Sequence, residues 1–131
     1  MNKTILSTAF IFGFAAVALG AFGAHALSDL LAPKALDAFK TGIYYQMIHT
    51  LLLLIIGISV NRFTLKHQQL LFYLLVFGIL LFSGSIYAYY LLPLIGIEWS
   101  FLVYITPLGG VLFLIAWFLA AFYTLKTTTY G

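Results

Sequence analysis

The chain has 131 residues, 64% of them hydrophobic and 7% charged, with a mean hydropathy of +1.13. A soluble domain carries about 25% charged residues, so this composition excludes a water-solvated globule and makes lipid the solvent for most of the surface. Six cations against three anions give a net charge of +3, scattered through short connectors, and there is no cysteine; clustered phosphate neutralisation, disulfides, thiolate metal sites and thiol nucleophiles are all excluded.

The length allows one domain. Residues 4–24 carry no charge. At the helical rise they extend about 30 Å, the thickness of a bilayer core. Lys3 ahead of the run and Ala24-His25-Ala26 behind it imitate a signal peptide, but signal cores are about 7–15 residues long, and a retained helix is expected. Ala16, Gly20 and Ala24 repeat at four-residue spacing, with Gly23 beside them. Such a stripe lets a neighbouring helix approach closely.

The first connector is the most polar part of the chain. Pro33 suits the first turn of a helix. Lys34, Asp37 and Lys40 form one row, opposite Leu36, Phe39 and Ile43. The pattern predicts a short amphipathic interfacial helix over residues 33–41. The second span is expected over 43–60, with Tyr44, Tyr45, Gln46 and His49 in its first two turns. A short basic loop leads into a third span over 68–92, interrupted by Gly78 and by Ser83-Gly84-Ser85 and closed by Pro93. A tight connector holds Glu98 and Trp99. The fourth span, over 101–125, contains Thr106-Pro107-Leu108-Gly109-Gly110, and a polar tail follows.

Four spans put both termini on one side. Lys3, Arg62, Lys66 and Lys126 lie there, against Lys34 and Lys40 on the other side. The positive-inside tendency therefore places both termini in the cytoplasm. In that frame the polar residues of the spans gather in the outer half: His25, Tyr45, Gln46, His49, Ser83, Ser85, Tyr87 and Thr106, while the inner half holds almost nothing polar. Polar groups in hydrocarbon must pair, so these are expected to face one another inside the bundle, and they form the candidate ligand-binding set. Pro107 removes a helical N–H donor from the fourth span. Gly109 and Gly110 beyond it allow a bend or a close approach. His25, Asp29 and His49 together could supply two imidazoles and a carboxylate to a metal, but they match no ligand-spacing motif, and neither a metal nor a cofactor is expected. Ser83 has no base at motif spacing and is not read as a nucleophile.

Four ordered segments carry a resemblance: Gly20-Ala-Phe-Gly-Ala-His-Ala-Leu27; Tyr45-x-x-x-His49; Leu81-Phe-Ser-Gly-Ser-Ile-Tyr87; and Thr106-Pro-Leu-Gly-Gly110-x-x-Phe113-x-x-x-Trp117. In these the chain resembles the small bacterial inner-membrane proteins of the YgdD/YwdK type, the domain of unknown function 423 family. The resemblance covers essentially the whole chain. It implies a four-helix inner-membrane protein and no transferable activity, with signature residues at His25, Tyr45, His49, Ser83, Gly84, Ser85, Tyr87, Thr106, Pro107, Gly109 and Gly110.

The expectation is therefore an all-α integral membrane protein: a four-transmembrane-helix bundle with a short interfacial helix between helices 1 and 2. Its function is expected to be non-enzymatic, the binding of a membrane lipid or a partner protein through the outer polar cluster. The alternatives are a small oligomeric transporter or channel and an accessory or quinone-linked subunit of a membrane enzyme. Membrane lipid, a membrane protein and a second copy of the chain are the partners this leaves; nucleic acid is excluded.

Overall fold

The computed structural model describes residues 1–59 and 62–126. Four helical spans are long and apolar enough to cross a membrane: Lys3–His25, Pro33–Ile58, Leu65–Ile95 and Ser100–Lys126. The first two are the single helices α1 (Lys3–His25) and α2 (Pro33–Ile58). The third is composite: α3 (Leu65–Ile79), a π turn (Leu80–Gly84), α4 (Ser85–Leu91) and a 3₁₀ turn (Leu92–Ile95). The fourth opens with a 3₁₀ turn (Ser100–Tyr104) and continues as α5 (Thr106–Lys126). Val60, the last residue of the expected second span, Asn61 and the tail over 127–131 lie outside the described residues.

Three expectations about the elements need correction. The separate interfacial helix over 33–41 is helical, but it is the beginning of α2. Pro33 starts the helix at a position where its missing N–H is not needed. Nothing between Lys40 and Ile43 breaks it, because Gly42 is held from outside: the Ser83 hydroxyl donates to its carbonyl at 2.6 Å. Pro107 does not kink a helix interior. It falls in the first turn of α5, and the distortion it would cause is taken up by the preceding 3₁₀ turn, with Leu108 N–H bonding to the Ile105 carbonyl at 3.0 Å. Nor is the inner half free of polar contacts. At the end of the bundle that carries both helical termini, Gln68 is buried and accepts from the Asn2 side chain at 3.3 Å, and its own amide donates to the Phe63 carbonyl at 3.4 Å. His67 stacks on Tyr123 there, with ring centroids 3.7 Å apart. This is the terminal end; the opposite end, with the α1–α2 connector and Glu98, is the distal end.

Small residues set the α1–α2 seam. Ala9, Gly13, Ala16, Gly20, Gly23 and Leu27 succeed one another at intervals of four and three, which keeps one stripe on the partner. Gly13 meets Thr50, Gly20 meets Ile43 and Gly23 meets the Phe39 ring, and Ala9, Ala16 and Leu27 are fully buried. Ala24, expected in this stripe, is exposed instead; Gly23 takes its place because the seam follows alternating steps of four and three rather than uniform steps of four. The core lies between α1, α2, α3 and α5, built on Ile5, Leu53, Ile56, Leu71, Leu75, Phe113 and Ala116. The outward faces are apolar too. Phe10, Ile11, Phe14 and Val17 of α1 are all more than 60% exposed, as expected of a helix whose outward solvent is lipid.

Candidate functional site

The π turn organises the distal half. Its wider winding carries Phe82 against α5 and Ser83 against α2, and Ser85 follows at the start of α4. Gly109 lies directly against the Phe82 backbone: a Cβ there would overlap the Phe82 nitrogen. Gly78 gives the same room to the Phe113 ring, which stands 2.6 Å from where its Cβ would be. Gly42 admits Tyr87 in the same way, at 3.0 Å. Gly110 makes only ordinary contact with Phe82, and a Cβ on Gly84 would meet nothing within 4 Å. The close packing expected at Gly84 is therefore absent, because this glycine sits on the side of the π turn that faces away from the other helices.

Around this frame the polar side chains form a set of interhelical hydrogen bonds. The Tyr87 hydroxyl donates to Gln46 Oε1 at 2.7 Å, and Gln46 Nε2 donates to the Phe12 carbonyl at 2.9 Å. One buried glutamine thus ties α4, α2 and α1. Ser83 Oγ reaches the Gly42 carbonyl. Ser85 Oγ donates to the Phe82 carbonyl at 2.9 Å and lies 2.6 Å from Thr106 Oγ1. A hydroxyl has one proton, so Thr106 is the donor in that second bond, and α5 is tied to α4.

His49 completes the set. Its Nδ1 is 2.6 Å from the Tyr45 carbonyl, which can only accept, and its Nε2 is 3.2 Å from the Trp117 indole N–H, which can only donate. These partners assign the neutral tautomer with the proton on Nδ1. The ring stacks on Phe113 with centroids 3.4 Å apart and an interplanar angle of 8°. The ring's one free lone pair, on Nε2, which a metal or a proton would need, is taken by the Trp117 N–H, and Nδ1 carries the proton. His25 stands apart: it is exposed at the end of α1, and its carbonyl accepts from Ser28. No cluster of three or more His, Cys, Asp or Glu side chains exists among the described residues, so His25, Asp29 and His49 do not assemble a ligand set. Seven of the eight candidate residues are brought together and His25 is not. Thr50 is the exception to the pairing: among the described residues its buried hydroxyl alone lacks a partner.

Sequence reasoning missed Trp117 and Phe113 as members of the site. Their signal was present, since Phe113 and Trp117 are one helical turn apart, as are Tyr45 and His49. Between these two faces lies a partly open groove of about 590 Å³. Tyr45, Phe82, His49, Phe113 and Trp117 give it an aromatic lining, Ile48, Val111 and Leu114 an aliphatic one, and Gly110 adds no side chain to it. No charged residue lines it.

Fold and site together define a small four-span helical membrane protein whose polar residues lock the helices to one another. The chain belongs to a family known by its sequence, described as protein of unknown function (DUF423), which its residues 19–110 match. It is similar to a UPF0382 membrane protein of Haemophilus influenzae, 43% identical over 128 residues, 97% of this chain and 98% of that one. It is also similar to the UPF0382 inner membrane protein YgdD of Escherichia coli K12, 39% identical over 88% of this chain and 85% of the relative. A UPF0382 membrane protein of Staphylococcus epidermidis is 42% identical over 85% of this chain and 86% of its own length. No solved structure matches.

Proposed function

We propose that the chain is a non-enzymatic membrane module whose working surface is the α2–α5 groove and whose ligand is the hydrocarbon chain of a membrane lipid. The observation that carries this reading is the groove itself: about 590 Å³, aromatic and aliphatic throughout, with no charged side chain among its lining residues. That volume lies within the roughly 300–1,000 Å³ of small-molecule sites. An uncharged cleft between membrane-spanning helices selects an uncharged, flexible occupant. The polar cluster supports the reading by what it does elsewhere. Ser83, Ser85, Gln46, Tyr87 and His49 bond to other helices, so the ligand meets the rigid aromatic lining they hold in place rather than their hydrogen-bonding atoms. Rigid walls reduce the entropy lost when a flexible chain is held.

The test is native mass spectrometry of the protein extracted gently from its own membrane, beside Gly110→Leu. A Cβ at Gly110 has room, with Phe82 at 3.8 Å, and Gly110 lines the groove, so a leucine there is expected to take up groove space. The wild type is expected to carry a stoichiometric diacyl lipid and the variant to lose it. A wild type that is bare, or a variant that carries equal lipid, overturns the reading.

A further inference from the structure

A second cavity, at the distal end, is chemically unlike the groove. It holds about 370 Å³ and is bordered by Tyr89, Tyr90, Trp99, Pro93, Ser100 and Glu98. The local fold builds it. Tyr89 and Tyr90 end α4 with their rings edge to face, centroids 5.0 Å apart at 90°. Beyond them the 3₁₀ turn stops at Gly96, whose φ of +81° is the left-handed conformation that glycine adopts freely. Ile97 N–H then reaches back to the Leu92 carbonyl and Gly96 N–H to that of Pro93, the paired bonds of a Schellman motif. This reversal returns Glu98 and Trp99 to the tyrosines.

We infer that this cavity is a binding site for an organic ammonium group. Three electron-rich rings border it, and ring faces attract cations through their quadrupole. Glu98 is the one charged residue on its border, and its carboxylate has no ion-pair or hydrogen-bond partner among the described residues. The absence of Lys and Arg from the lining removes an anion as the occupant. A hard metal cation is equally unsuited, since it requires several oxygen ligands and the cavity offers one carboxylate. A compact cation with an apolar skin suits aromatic rings and a single counter-charge, and a primary or quaternary ammonium has that form. A third cavity, about 380 Å³, shares Tyr89 and Tyr90 with this one and Phe82 and Pro107 with the groove. The ammonium site therefore adjoins hydrocarbon space, and its ligand is either the amine headgroup of a phospholipid or a free amine from the aqueous side. The site does not depend on the occupant of the groove.

Two measurements separate the sources. In nanodiscs of phosphatidylglycerol alone the protein is titrated with ethanolamine, and Trp99 emission is isolated as the difference from Trp99→Leu. In nanodiscs of mixed phosphatidylethanolamine and phosphatidylglycerol, the lipid retained after extraction is identified by native mass spectrometry. A saturable emission change, weakened about tenfold in Glu98→Gln, supports the site with a free amine as ligand. Preferential retention of phosphatidylethanolamine, abolished by Glu98→Gln and by Trp99→Leu, supports it with a headgroup as ligand. Glu98 and Trp99 are exposed and outside the interhelical hydrogen bonds, so both variants keep the fold. A flat titration together with equal retention of the two lipids overturns the proposal. Gly110→Leu, which takes up groove space, leaves the amine response intact, so failure at one site is read separately from failure at the other.

Discussion

Two adjacent residues, His49 and Thr50, show how differently a buried polar side chain can act. Both are less than 5% exposed. His49 satisfies both ring nitrogens and stacks on Phe113, whereas the Thr50 hydroxyl has no partner. Replacing His49 by Leu leaves the Trp117 indole N–H without its acceptor and removes an aromatic contact. Interhelical hydrogen bonds in membranes average roughly 0.6 kcal/mol. Most of an expected loss of about 2 kcal/mol therefore comes from packing and from the unsatisfied indole. Thr50→Val keeps the shape and deletes an unpaired hydroxyl, and is expected to raise stability by about 1 kcal/mol. Unfolding of the two variants in mixed micelles, followed by helical circular dichroism, gives the signs; a destabilised Thr50→Val would mean that its hydroxyl has a partner after all. At this scale much was legible. Tyr45, Gln46, His49, Ser83, Ser85, Tyr87 and Thr106 could be gathered because uncompensated polar groups do not survive in hydrocarbon. Their partners were not legible, because Gln46 and Ser83 bond to the backbone carbonyls of Phe12 and Gly42. Every residue has a carbonyl, so residue identity does not mark which one is used. His25 was misplaced for the opposite reason: a polar residue at a helix end reaches water and needs no partner.

At the scale of elements, the π turn is what allows the third span to sit so close to α5. One wide turn moves Phe82 outward, and α5 answers with Gly109, where a side chain has no space. The two glycines of this region then behave oppositely on substitution. Gly109→Ala forces two backbones apart and is expected to destabilise the bundle by about 3 kcal/mol. Gly84→Ala meets nothing and replaces a flexible residue inside a helical segment, so it is expected to be neutral or to stabilise by about 0.5–1 kcal/mol. Thermal unfolding in detergent, read by intrinsic fluorescence, distinguishes them; equal losses at the two positions would remove the close approach from the explanation. The sequence announced a disturbance through Ser83-Gly84-Ser85 and through Pro107 but could not give its form. Glycine and serine are compatible with a packing surface, a kink or a π turn, and the choice among these is made by the helix opposite. The same limit explains the interfacial segment over 33–41. Its amphipathic rows were correct, but amphipathicity carries no information on whether the helix ends or runs on, and here α2 runs on.

For the whole molecule, the number of spans and their order were legible because hydropathy over about 20 residues is a strong signal. The lateral arrangement was not, since apolar faces turned to lipid and to neighbouring helices have the same composition. Exposed Phe10 and Phe14 on α1 and buried Phe113 on α5 are indistinguishable in type. Orientation in the membrane is a property of the molecule as a whole and follows from charge. Asn2 bonds to Gly57 and Gln68, and His67 stacks on Tyr123, which joins both helical termini and the α2–α3 connector at one end. That end carries Lys3, Arg62, Lys66 and Lys126; the distal end carries Lys34 and Lys40, with Asp29, Asp37 and Glu98. Lys and Arg resist translocation, while acidic residues contribute little to the choice, so the terminal end is expected to be cytoplasmic. The absence of cysteine makes the test clean, since any thiol introduced is the only one in the chain. Leu30 and Leu65 are both exposed, at 61% and 73%, and lie at opposite ends of the bundle. On intact cells a membrane-impermeant maleimide is expected to label Leu30→Cys fully, and Leu65→Cys only after permeabilisation. The reverse pattern would place the ammonium cavity beside Glu98 on the cytoplasmic side. It would also mean that an excess of two cations is too small to set the insertion of so short a chain.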